Sequence, residues 1–161
     1  MNRDDDAADS HFAMLLTIAA LSMALATVLL AHAVLRAHAA LWQRPVDTQP
    51  AAIAVLAVFA GTLALERTGA ARGVRLAFTA VAFATAVVTD LFVARSLRLD
   101  LDIAASSALA LVLLNGAFCV LGVCMVAAAS RSTTHGGGRT AMYARFLAVT
   151  TALTHAVVWL S

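Results

Sequence analysis

Five long apolar runs alternate with short charged or proline-bearing connections along this chain. The first, Phe12 to Leu35, is uncharged and is interrupted only by small polar residues and His32. A helix needs roughly 20 apolar residues to cross about 30 Å of hydrocarbon, so this run is long enough to span. Leu76–Ala94 and Ile103–Ala129 are also long enough, and the latter, the longest uncharged run, tilts to fit. Ala51–Leu65 makes a helix only about 22 Å long. It spans if the bilayer thins or if Glu66 and Arg67 snorkel outward. Ala141–Leu160 is a weaker segment, with Arg145 near its start and His155 within it.

The pattern therefore predicts an all-α polytopic transmembrane bundle of four to five spans: 12–35, 51–65, 76–94, 103–129 and 141–160. A short acidic tail, residues 1–11, precedes it and holds Asp4, Asp5, Asp6 and Asp9. That acidity, and the length of the run that follows, read as a first span rather than a secretory signal. Between the spans lie a polar connection with Pro45 and Pro50, a basic loop over 66–75 and a tight charged turn over 95–102. A flexible Ser/Thr/Gly linker is expected over 130–140.

Composition strengthens this picture. Hydrophobic residues make up 62% of the chain and charged residues 12%, against roughly 45–50% and about 25% in soluble domains. A water-soluble globule of 161 residues exposes too much of its surface to hide that excess. The net charge of +2 comes from eleven basic residues, all Arg, scattered through the connections. They form no dense stripe of the kind nucleic acid requires. Lysine is absent, which looks like translation from a GC-rich genome.

Arginine placement orients the chain through the positive-inside rule. With five spans, Arg3, Arg67, Arg72, Arg75, Arg131, Arg139 and Arg145 share the side of the tail, against Arg36, Arg44, Arg95 and Arg98 opposite. The larger group is cytoplasmic. Were the last segment to lie in the interface, both termini would be cytoplasmic with the same count.

A few residues inside the apolar runs could carry chemistry. Asn115 sits near the middle of the longest run, where an amide needs a partner. With Ala108, Cys119 and Gly122 it forms a narrow small-residue face suited to close helix approach, within the bundle or against another protein. Asp90 is the only carboxylate inside an apolar run, about one turn from its end, where headgroup water is near. In the five-span orientation His32, Asp90 and His155 fall in the half of the bilayer away from the cytoplasm. Two facing histidines could hold a haem axially, and an Asp–His pair could relay protons. No spacing motif supports either, so no cofactor and no metal is expected. Cys119 and Cys124 stand about 140° apart on a helix, which speaks against a mutual disulfide. The glycines at 136–138 lack the Lys-Ser/Thr pair of a phosphate loop. No catalytic spacing occurs in a water-exposed segment, so the reading is non-enzymatic with no small-molecule substrate.

The stretch WQRPVDTQPAAIAVLAVFAG, Trp42 to Gly61, places a Trp and an Arg before a Pro-Ala that opens an Ala-rich, Ile-containing span. With the chain's size, acidic tail and lysine-free composition, it resembles the small multi-span egress membrane protein of alphaherpesviruses that partners glycoprotein K. That resemblance implies four spans with both ends cytoplasmic. It also implies a trafficking complex with glycoprotein K, and support of virion egress and control of membrane fusion. The membranes implied are the host endoplasmic reticulum, Golgi and nuclear membranes and the virion envelope. The alternative is a small multi-span subunit of a bacterial respiratory or transport complex.

Overall fold

The computed structural model describes residues 3–38, 48–67, 70–97, 103–131 and 137–160. They form five helices: α1 (Arg3–His38), α2 (Gln49–Glu66), α3 (Arg72–Ser96), α4 (Ile103–Arg131) and α5 (Gly137–Leu160). All five are long and apolar enough to cross a membrane. The protein is an all-α, multi-pass membrane protein.

Three boundaries differ from the sequence reading. The acidic tail continues the first span, because α1 is already helical at Arg3. Asp4, Asp5 and Asp6 then stand in its opening turns. The second segment is longer than 51–65: α2 has 18 residues and extends about 27 Å. Pro50 belongs to its first turn, where the missing N–H would have no intrahelical partner anyway. The two ends of the linker expected over 130–140 are helical, since α4 continues to Arg131 and α5 begins at Gly137; residues 132–136 lie outside the described residues. Most of the 95–102 turn lies outside them too, after Leu97.

Helices α2 to α5 form a four-membered ring. Each packs on its neighbour in sequence, and α2 closes the ring against α5. α1 stands outside it, resting on α4 and α5 alone. Its inner face is the stripe Met14, Ile18, Leu21, Leu25, Val28, His32 and Leu35, buried or partly buried throughout. The steps alternate four and three residues, the 3.5-residue repeat that keeps one seam of a helix facing its support.

Two devices hold the ring together. The first is close backbone approach at glycine. A β-carbon on Gly61 of α2 would lie 3.0 Å from the Ala82 β-carbon of α3, and Gly122 of α4 is tighter still against Phe83. The fully buried Phe83 ring thus sits between two glycines on opposite sides. The second is hydroxyl donation to a neighbouring helix's carbonyl. Thr79 Oγ1 donates to Gly61 O at 3.0 Å, Thr62 Oγ1 to Ala144 O at 3.1 Å and Tyr143 OH to Phe118 O at 2.9 Å. Between helices in lipid each such bond contributes about 0.6 kcal/mol on average.

On the side assigned to the cytoplasm, arginines close the helix ends. Arg75 Nη1 donates to Leu65 O at 3.2 Å and Arg67 O at 2.7 Å, and Arg72 Nη2 donates to Ala129 O at 3.0 Å. These are carbonyls of the last turns of α2 and α4, which otherwise lack intrahelical donors. Two of the arginines that set the orientation count therefore also cap helices.

Candidate functional site

In the interior of the ring, at the depth of the lipid, three helices bring polar side chains together. Asp90 comes from α3, Asn115 from α4, and Thr151 and His155 from one face of α5, four residues apart. Asp90 is 2% exposed, Asn115 0% and His155 3%. Asp90 therefore faces the bundle interior. Its nearness to the span end does not lead it to headgroup water, as its sequence position suggested, because it lies on the side of α3 covered by α4 and α5.

The contacts form a chain. Asn115 Nδ2 donates to Asp90 Oδ2 at 2.8 Å, and Thr151 Oγ1 donates to Asn115 Oδ1 at 3.1 Å. His155 Nε2 lies 3.1 Å from Asp90 Oδ1, at ion-pair distance. The angle of that approach does not meet hydrogen-bond geometry, and both His155 nitrogens lack a hydrogen-bond partner among the described residues. Gly116 lies beside the carboxylate, where a β-carbon would meet Asp90 Oδ2 at 3.6 Å, an ordinary contact. Asn115 is thus the centre, using its amide nitrogen toward α3 and its oxygen toward α5.

Of the three intramembrane ionisable candidates, two meet and one does not join them. His32 of α1 is fully buried with its Nδ1 2.8 Å from Ser107 Oγ of α4. It works as an anchor of α1 on the ring. The facing-histidine arrangement that a haem requires does not form between His32 and His155, since each engages a different side chain. Among the described residues no group of three or more His, Cys, Asp or Glu is placed to hold a metal.

The small-residue face of α4 is an interface, but an internal one. Ala108, Asn115 and Cys119 are fully buried and Gly122 is covered by Phe83 and Leu147 of the same chain. That burial matches the within-bundle alternative for these four residues. Replacing Asn115 by an apolar residue removes the hydrogen bonds it makes to Asp90 Oδ2 and to the Thr151 hydroxyl. Cys119 is buried and Cys124 exposed, both free, on different faces as their spacing implied.

Sequence reading missed Thr151. A threonine in an apolar run is ordinary, and Thr17, Thr27 and Thr85 return their hydroxyls to their own helix. Its signal was the i, i+4 spacing to His155, which aligns two polar groups on one helix face. No family model, no curated protein and no solved structure matches this chain.

Proposed function

We propose that this multi-pass protein is a non-enzymatic partner of another membrane protein, docking through α1. The observation that carries the reading is the uneven burial of the spans. Only 11% of the α1 window is buried, against 28–50% for the other four. Opposite its inner stripe, α1 exposes Leu16, Met23, Leu30 and Val34. Helix α1 stands outside the ring, resting on α4 and α5, so most of its circumference is open to a partner span.

The resemblance to the alphaherpesvirus egress protein makes the proposal specific. The partner is then an envelope glycoprotein of the glycoprotein K type, and the role is its export from the endoplasmic reticulum, virion egress and control of fusion. The test is affinity purification of the full-length chain in mild detergent from cells co-expressing that glycoprotein. Recovery is expected with the native chain, and loss with Ala20→Phe plus Met23→Ala on the outer face of α1. Val120→Phe, on the lipid-exposed side of α4, should keep it. Equal recovery with all three chains, or none with the native one, rejects the reading.

A second reading has its own observation, the Asp90–His155 contact at lipid depth. Ionisable pairs in such places mark proton pathways, which suits a small subunit of a bacterial transport or respiratory complex. Reconstituted into vesicles, the native chain would then dissipate a pH gradient and Asp90→Asn would not. A native chain that leaves the gradient intact excludes it.

A further inference from the structure

Beyond the α1 face, the outer surface of the ring carries a groove between α2 and α5 of about 450 Å³. Thr48, Ala52 and Val55 line one wall, and Ala152, His155 and Trp159 line the other. Ligand sites of this kind are mostly apolar with a few placed polar groups, and run from about 300 to 1,000 Å³. The polar groups here are unusual. Trp159 Nε1 and His155 Nδ1 are buried without a hydrogen-bond partner among the described residues, while His155 Nε2 is taken up by Asp90 Oδ1 at 3.1 Å. A buried orphan of this sort costs about 1–3 kcal/mol, and these two side chains stand one helical turn apart on one face of α5.

We infer that this groove is a binding site for an acyl-glycerol lipid of the bilayer, its chain against the alanine-lined walls and an ester oxygen at Trp159. The position is right for that chemistry. Thr48 precedes the first turn of α2 and Trp159 lies in the last turn of α5, so the mouth of the groove is at a helix end. By the arginine count this is the non-cytoplasmic end. Ester carbonyls gather at that level, and indole rings concentrate there with their N–H toward polar neighbours. An indole nitrogen only donates, so it calls for an acceptor such as an ester carbonyl. Trp159 is only partly buried, which lets its ring turn to present the N–H. His155, a turn deeper, offers a donor or an acceptor according to its tautomer, and lies against Asp90 on its other side. The lipid would thus connect the membrane to the Asp90 cluster.

The test uses the full-length chain purified in mild detergent, washed extensively, with retained lipid extracted, identified and counted per protein. The native chain should retain about one acyl-glycerol lipid. Ala52→Phe and Ala152→Phe fill the groove and should lose it. Trp159→Phe keeps the shape of the wall and removes only the N–H, so retention should fall about fivefold, the size of one neutral hydrogen bond. Val149→Phe, on an exposed part of α5 outside the groove, should match the native chain. Thermal unfolding by circular dichroism checks that each variant is folded. Should a filling variant fail to fold, Trp159→Phe decides alone. Equal retention in the native, filled and Trp159→Phe chains overturns the inference, as does a washed native chain without lipid. A retained molecule lacking an acyl ester, such as a prenyl quinone, overturns it too.

Discussion

Phe83 and Gly122 face each other so closely that a β-carbon on Gly122 would lie 2.8 Å from Cδ2 of the Phe83 ring. On the other side of the ring stands Gly61, whose own virtual β-carbon would lie 3.4 Å from Cε1. Leu147 of α5 crowds the same glycine as the ring does, its Cδ2 lying 3.2 Å from the Gly122 virtual β-carbon. One aromatic side chain on α3 therefore sets the separation of α2, α3 and α4, and two glycines are what allow it.

Gly122→Ala should accordingly destabilise the bundle although alanine is the better helix former. Overpacking costs about 1–3 kcal/mol, against a gain of about 1 kcal/mol in helix propensity. Pairing it with Phe83→Leu should restore part of the loss, a non-additivity expected of residues in contact. Gly73 is the control, with nothing within 4 Å of its virtual β-carbon. Gly73→Ala should leave stability unchanged or raise it by up to about 1 kcal/mol. Thermal unfolding in detergent reads all four chains, and a stable Gly122→Ala chain contradicts the packing described.

Asn115→Leu should destabilise by about 1–3 kcal/mol, because it leaves Asp90 Oδ2 buried without its donor and removes the bond to Thr151. Asp90→Leu alone strips Asn115 and His155 of a partner and should be at least as harmful. The double variant should cost clearly less than the sum of the two. Simple additivity in a double-mutant cycle means that the Asn115–Asp90 bond contributes nothing.

Five crossings place residue 10, the 66–75 loop and the start of α5 on one side. Single cysteines at Ser10, Gly69 and Gly137, in a chain with Cys119 and Cys124 replaced by Ala, should all label from the cytoplasm. Opposite labelling at Gly69 and Ser10 means that α2 does not cross.

Neutralising Asp4, Asp5, Asp6 and Asp9 together to Asn should leave insertion intact, since the span that follows is unchanged. If the tail contributes to trafficking or to a partner, localisation or partner recovery shifts in the same chain. Unchanged values for both assign these carboxylates to the helix start alone.

Sequence by itself determined that this chain is a multi-pass membrane protein and how many apolar segments it has. Those properties follow from local composition, because lipid admits a backbone only when its polar groups are satisfied within the helix. The weight of each span was less legible. Ala141–Leu160 reads as the weakest segment, yet α5 has the most buried window of the five. Its threonines and His155 lower its hydropathy because they face other helices instead of lipid. Phe12–Leu35 reads as one of three secure spans and belongs to the most exposed helix for the converse reason. Partners were decided by tertiary structure alone. Nothing along the chain says that Asn115 reaches Asp90 rather than another protein, or that His32 meets Ser107 and not His155. Such pairings depend on how far neighbouring helices slide and turn against each other. Here that is set by Phe83 between its two glycines, a fit of shapes that no single segment carries.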